Sequence, residues 1–407
     1  MPAKSIRRIE RKPEELPGRR NVLSLGLVSM FNDVASEMVY PLIPVFLTTV
    51  LRAPVAVVGI IEGVAEATAS ILKVFSGWLS DRVGNRKRFV ASGYLFSALA
   101  KIFLAAAGAW FTVFGARFID RLGKGVRTSA RDALIADSVS ENRRGASFGL
   151  HRALDSAGAV VGPLLALFLL HLYSENYRLI FWIAALPAFT GVGILLAFVR
   201  EPRRQSVARE PIRLSFRQLN PRFKTFLLAS SIFALGNSSD AFLILRAQSF
   251  GYTAVQTVLL YVAFNLAYSI FSYPFGKLSD RFGAKPILIA AFIIFGMIYS
   301  GFAFAPAAAY LWILFPLYGV YMAMSDGVSK AYIVENTPAN LRGSLLGLFH
   351  TVTGVIAFLA SFIAGLLWSY LGIPAPFYFG AALAWLAALL FILFTPASPQ
   401  PDLFHQA

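Results

Sequence analysis

The apolar positions of this chain run in long unbroken stretches, with neither the period-two alternation of half-buried strands nor the narrow stripe of a surface helix. Twelve stretches stand out, at 22–49, 54–79, 89–109, 111–137, 146–172, 178–199, 223–247, 254–278, 286–305, 308–334, 343–371 and 374–395. Each reaches the roughly 20 residues needed to cross about 30 Å of hydrocarbon as a helix. Open strands are excluded because backbone polar groups in lipid must be satisfied within the segment. A membrane barrel needs alternating strands of about ten residues, which these runs are not. The pattern predicts an all-α polytopic membrane protein with 12 transmembrane helices.

Composition agrees and adds a puzzle. Of 407 residues, 57% are hydrophobic, 14% are charged and none is cysteine, yet the net charge is +16. Soluble domains carry about 25% charged residues, so soluble enzymes, disordered regions and disulfide-stapled domains are excluded. Placing the charge resolves most of the puzzle. With both termini inside, the inner segments hold 24 Lys and Arg, and the outer ones hold only Arg52 and Arg178. The positive-inside rule then puts both termini in the cytoplasm of a cell (inner or plasma) membrane protein. The basic residues 1–21 form a cytoplasmic tail and no cleaved signal, since the apolar run that follows is too long and lacks a small-residue cleavage site. The loops need no nucleic acid to explain them.

The chain repeats itself. Gly77-Trp-Leu-Ser-Asp81-Arg82-Val-Gly84-Asn-Arg86 follows the second stretch, and Gly276-Lys-Leu-Ser-Asp280-Arg281-Phe-Gly283 follows the eighth, 199 residues later. Arg144-Gly145…Gly149 recurs as Arg342-Gly343…Gly347 at an offset of 198. Two echoes at nearly one offset indicate two pseudo-symmetric six-helix bundles, 22–199 and 223–395, joined by an Arg-rich linker at 200–222 and followed by a cytoplasmic tail at 396–407. The G-x-L-S-D-R-x-G segments resemble the loop 2–3 motif of the major facilitator superfamily, and their repetition in loop 8–9 is typical of it. The resemblance covers nearly the whole chain and implies a secondary transporter whose two bundles rock about a central site. It implies that Gly77, Asp81, Arg82, Gly84, Arg86, Asp280 and Arg281 form a latch on the cytoplasmic side. Gly115-Ala-Arg117…Asp120-Arg121…Lys124 resembles the family's fourth-span motif, with charges where uncharged residues usually stand. In the fifth span, Gly149, Gly158, Gly162 and Pro163 resemble the motif of antiporter-type members, departing from it at Ala166-Leu167. Gating by these glycines implies export.

The remaining eleven Lys and Arg lie within the spans, eight of them in the first half. An intramembrane charge costs at least about 2.5–3.5 kcal/mol, so it faces a wet cavity or a partner. At about 100° per residue, Asp120, Lys124, Arg127 and Arg131 share an arc about 60° wide, with Arg117 at its edge. Arg152 and Asp155 follow in the fifth span. Asp33, Glu37 and Tyr40 share a face of the first, and Glu62, Glu66 and Lys73 share a face of the second. The second half is sparser, with Asn237, Asp240, Arg246, Asp326, Lys330 and His350.

These residues define the candidate site. Arg117, Lys124, Arg127 and Arg152 are candidates to bind an anionic group, since arginine offers a bidentate fork, and Tyr40, Asp155 and Asn237 are further substrate-binding candidates. Asp33, Glu37, Glu62, Glu66 and Asp120 are the candidate proton carriers. No phosphate-binding loop and no metal-ligand spacing is present, so neither cofactor nor metal is expected, and the proton gradient supplies the energy. Catalytic residues are not expected. The sequence thus predicts a monomeric proton-coupled transporter in the lipid bilayer that exports a small charged organic solute against protons. Uptake of an organic anion or chelate by proton symport, and a non-transporting receptor or lipid-handling protein, are the alternatives.

Overall fold

The computed structural model describes residues 18–83, 85–139, 144–173, 176–202, 219–338 and 341–395; the side chains of 74, 77, 78, 81, 82, 144–146, 149 and 342–344 are outside that description. The spans are α1 (Gly18–Val50), α2 (Val55–Val83), α3 (Arg86–Ala105), α4 (Trp110–Ser138), α5 (Arg144–Tyr173), α6 (Tyr177–Phe198), α7 (Pro221–Ser249), α8 (Ala254–Phe282), α9 (Ala284–Phe304), α10 (Ala308–Glu335), α11 (Arg342–Leu371) and α12 (Ala375–Phe394). Eleven of them are long and apolar enough to cross a membrane. The exception is α4, whose charges set its composition apart and which is packed between α2 and α3.

Two spans are not continuous α-helices. In α1 the regular helix stops at Val39, and the chain continues through a tight turn at Tyr40–Leu42 and a wide π-type turn at Phe46–Val50. Pro41 and Pro44 lie in this stretch and lack the amide that would continue the ladder. The helix of α7 stops at Gly236 and resumes at Ala241. In the gap the Ser239 amide donates to Ser361 Oγ of α11 at 3.2 Å, replacing a lost helical bond with a tertiary one.

The packing is pseudo-symmetric. In the first half α1 packs on α5 and α6, α4 on α2 and α3, and α3 on α6. The second half repeats these pairs as α7 on α11 and α12, α10 on α8 and α9, and α9 on α12. The two bundles meet where α2 lies against α11 and α5 against α8. We call the membrane face that carries the outer ends of α1 and α12 the terminal face.

Glycines set the closest approaches. A Cβ on Gly59 would stand 2.3 Å from the Ser361 carbonyl oxygen, and one on Gly63 would stand 2.8 Å from that of Phe358. On the partner helix, a Cβ on Gly365 would meet the Ala56 Cα at 3.0 Å. The bundles are therefore in backbone contact along the half of α2 and α11 remote from the terminal face. Within the first bundle, a Cβ on Gly158 would meet the Met30 carbonyl at 2.4 Å, and one on Gly162 that of Val34 at 2.7 Å. The fifth-span glycines thus serve α1.

At the terminal face the bundle is tied by polar contacts. Asn21 Nδ2 donates to the Arg200 carbonyl (2.7 Å) and to Ser138 Oγ (2.9 Å), and Arg200 N donates back to Asn21 Oδ1 (2.9 Å). Glu201 accepts the Arg86 and Lys87 amides at 3.0 and 2.6 Å, satisfying the first turn of α3 where the helix dipole favours an anion.

Overpacking these contacts is expected to be costly where space is absent and harmless where it is not. Gly162→Leu should lower stability by about 1–3 kcal/mol, seen as a reduced unfolding temperature in detergent. Gly115→Ala, where a Cβ meets nothing within 4 Å, should leave that temperature unchanged.

Candidate functional site

A cavity of about 620 Å³ lies between the bundles. Its deep end is lined by Tyr40, Ile43, Leu104 and Ala116, and it extends toward the terminal face past Arg131, Arg152, Lys330 and His350. Side-chain exposure rises along that course, from 6% at Arg117 and 11% at Asp120 to 48% at Asp132 and 63% at Arg152. The cavity opens to the terminal face and is shut beyond its deep end, where the glycines of α2 and α11 meet.

The stripe along α4 forms one wall. Arg117 is clamped by Glu62 of α2 in a bidentate pair, Nε to Oε1 at 3.0 Å and Nη2 to Oε2 at 2.7 Å, with both side chains buried. Its guanidinium lies over the Tyr40 ring at 5.5 Å and approaches Asp120 at 3.8 Å. Asp120 in turn accepts from Lys101 Nζ at 2.8 Å, and Lys101 reaches Ser36 Oγ of α1 at 3.1 Å. Arg121 pairs with Glu66 at 3.5 Å. Four helices are joined by this chain of charges, each group answering the next at contact distance.

The next turns of α4 are answered differently. Arg127 donates to Ser97 Oγ at 2.5 Å and stacks over the Tyr94 ring at 4.7 Å. Gly93 makes the room, since a Cβ there would stand 2.6 Å from Arg127 Cβ. Among the described residues no carboxylate oxygen lies within 4 Å of the charged nitrogens of Lys124 or Arg127, although both line the cavity. Arg131 pairs with Asp132 at 3.0 Å and donates to Ser29 Oγ at 3.1 Å.

Acids of α1 and α5 face this stripe. Ser29 Oγ donates to Asp155 at 2.5 Å, and Asp33 and Asp155 line the same cavity. Arg152 stands 3.5 Å from Asp155. Glu37 accepts the Tyr261 hydroxyl at 2.9 Å, a bond from the second bundle to the first. Gly158 and Gly162 abut the Cβ atoms of Asp33 and Glu37, with virtual Cβ distances of 3.0 and 2.8 Å. The fifth-span glycine motif therefore seats the two acids of α1.

The cavity brings together Asp33, Glu37, Tyr40, Arg117, Asp120, Lys124, Arg127, Arg152 and Asp155. Glu62, buried, and Glu66, 42% exposed, are not among the lining residues and serve as partners of Arg117 and Arg121. Asn237 is not among the lining residues; at the gap in α7 its Nδ2 donates to the Tyr321 hydroxyl at 3.3 Å, beside the 2.7 Å bond from Tyr318 to Asp240. Of the latch residues, Arg86 is buried and pairs with Asp137 at 2.5 Å, while Asp280 and Arg281 are exposed at the end of α8. Gly84 and the side-chain positions of Gly77, Asp81, Arg82 and Gly149 lie outside the described residues. Pro163 is inside α5 and buried. Sequence reasoning passed over Lys101 as a site residue, although a lone lysine in an apolar span was a signal that a partner awaited it. No group of His, Asp or Glu side chains that could hold a metal occurs among the described residues.

Two six-helix bundles around one polar cavity, open to one membrane face and shut to the other, define a secondary transporter, a non-enzymatic multi-pass membrane protein. The chain belongs to the Major Facilitator Superfamily, whose family model matches residues 25–261 and 225–405. It is 37% identical over 379 residues to an uncharacterised MFS-type transporter, MJ1317, of Methanocaldococcus jannaschii, covering 92% of this chain and 94% of that one. It is 24% identical over 314 residues to the multidrug resistance protein MdtH of Salmonella arizonae, covering 76% of each. The crystal structure of the nucleoside transporter NupG (D323A mutant) superposes with a TM-score of 0.77 at 14% identity, over 92% of this chain and all of that one.

Removing one member of the buried pair should expose its value. Glu62→Ala leaves Arg117 without its bidentate partner and is expected to cost about 3–5 kcal/mol, whereas Glu62→Met combined with Arg117→Met should recover most of that loss. Thermal unfolding of the single and double variants in detergent measures both.

Proposed function

We propose that this protein is a proton-coupled exporter of a small organic solute bearing an anionic group, working by alternating access in a cell membrane with both termini in the cytoplasm. The observation that carries the reading is the contrast along α4. Arg117 and Arg121 are occupied by acids, whereas Lys124 and Arg127 face an open cavity with no carboxylate at hand among the described residues. Arg127 is buried and Lys124 is exposed to the cavity, and an arginine or lysine without an acid partner that lines 620 Å³ of space can take an anionic group from a solute.

The coupling proton is assigned to the acids opposite. Asp33 and Asp155 line one cavity without a Lys or Arg committed to Asp33 within 4 Å among the described residues, and Glu37 lies one turn along on the same face. In the exchange the proton and the solute occupy the cavity in turn. The deprotonated acids accept the solute's polar donors while Lys124 and Arg127 take its anionic group, and protonation of the acids withdraws those acceptors and releases the solute. Glu62 and Asp120 serve in the second rank, because each is already tied to a basic partner. Export is favoured by the fifth-span glycines and by the likeness to a multidrug resistance protein. The bundles 22–199 and 223–395 move as the two rocking bodies, and the latch residues close the cytoplasmic side.

The test is proton movement in proteoliposomes offered a panel of organic phosphates and carboxylates. Export against protons acidifies the compartment from which the solute leaves; symport changes pH in the opposite sense, and a receptor changes it not at all. Asp33→Asn and Arg127→Ala should each abolish proton-coupled flux while the protein still purifies as a folded monomer. Wild-type flux in both variants would refute the assignment.

A further inference from the structure

The second bundle contributes little to the cavity, but what it contributes is specific. Only Asp326, Lys330 and His350 of the lining residues come from it, all near the terminal mouth. Asp326 is fully engaged: Lys330 Nζ stands at 2.8 Å, the Tyr268 hydroxyl donates at 3.0 Å, and Arg152 of the first bundle lies 3.9 Å away. His350 carries a ring that meets Phe349 edge-on at 5.5 Å, and among the described residues no side chain hydrogen-bonds its nitrogens.

Across the cleft stands Lys73 of α2. Its backbone is fixed against α4, since Ser129 Oγ donates to the Lys73 carbonyl at 2.7 Å and Ser76 Oγ donates to that of Gly125 at 2.8 Å. Its ammonium has no carboxylate oxygen within 4 Å among the described residues. The acids on that side, Glu66 and Asp132, are held by Arg121 at 3.5 Å and Arg131 at 3.0 Å. Three nitrogen donors from three helices and both bundles therefore face one open space, and the acids beside them, Asp326, Asp132 and Glu66, already have basic partners.

We propose that Lys73, Lys330 and His350 form a second anion subsite, shared between the bundles, that takes a second phosphate or carboxylate group of the transported solute. The inference rests on the reading of Lys124 and Arg127 as the first anion subsite, and it narrows the substrate class: the solute carries two anionic groups, one for each level of the cavity. The mouth subsite also has a mechanical consequence. Its donors sit on the two bodies of the proposed rocking motion, so an anion between them draws α2 toward α10 and α11, while an empty subsite leaves Lys73 and Lys330 as like charges facing the mouth. A solute with one anionic group fills the inner level and leaves the mouth open.

The chain has no cysteine, so spin labels can be placed without background. Phe148→Cys on α5 and Phe282→Cys on α8 are exposed positions near the terminal face, one in each bundle. The distance between labels on the purified full-length protein is measured by pulsed electron resonance with acetate, inorganic pyrophosphate or citrate at matched ionic strength. Pyrophosphate and citrate should shorten the distance and acetate should not. Lys73→Gln and His350→Gln should each abolish the shortening and weaken pyrophosphate binding by about tenfold or more.

Equal responses to acetate and pyrophosphate, no response to any of the three anions, or unchanged responses in Lys73→Gln and His350→Gln overturn the proposal. Loss of every anion response in Arg127→Ala, with Lys73→Gln and His350→Gln unaffected, removes the mouth subsite alone. If Arg127→Ala also responds as the parent does, the first subsite falls with it.

Discussion

Charge inside a low-dielectric body must be answered at contact distance, and the first bundle is organised by that demand. Glu62, Arg117, Asp120, Lys101 and Ser36 form a continuous run of ionic and hydrogen-bonded contacts from α2 through α4 and α3 to α1. The burial of each member is tolerable only while its neighbour is present. This run fixes the azimuth of α4, and the azimuth of α4 decides which of its cations meet acids and which meet open space. The contrast in partners between Arg117 and Arg127 therefore follows from how a structural network ends.

The two bundles share a packing scheme but not a chemistry. The first holds nearly all the ionisable residues of the cavity; the second answers with tyrosines and phenylalanines around the gap in α7. Phe295 stacks on Tyr299 with centroids 3.9 Å apart, and Tyr318 and Tyr321 lie against the same rings. These rings are buried inside the second bundle and stand behind the cavity, whose described lining from that bundle is Asp326, Lys330 and His350. Duplication explains the scheme, and divergence of the lining explains the division of labour.

Much of this was legible in the sequence, for identifiable reasons. Span number followed from runs of apolar residues, because lipid allows few backbone solutions. The bundle repeat followed from the Asp81-Arg82 and Asp280-Arg281 echoes, and the α4 stripe from helical periodicity alone. Pairing was not legible. That Glu62 takes Arg117 while Glu66 takes Arg121 depends on the rotation and depth of α2 against α4, which Gly125 permits at close range. Lys101 was hidden because its partner lies on another helix. The gaps in α1 and α7 also escaped: Pro41 and Pro44 announce the first, but the second is stabilised by Ser361, more than a hundred residues away.

The bond from Tyr261 to Glu37 joins the two moving bodies at the depth of the cavity. In the proposed alternating access it cannot survive both states with the same geometry, so each cycle would break and remake it. A hydrogen bond of this kind is worth about 0.5–1.5 kcal/mol net, or more when one partner is charged, and about 1.4 kcal/mol is tenfold in rate. In the proposed rocking cycle this phenolic hydroxyl would act as a timing element for the state open to the terminal face, stronger or weaker as the carboxyl it binds loses or gains a proton.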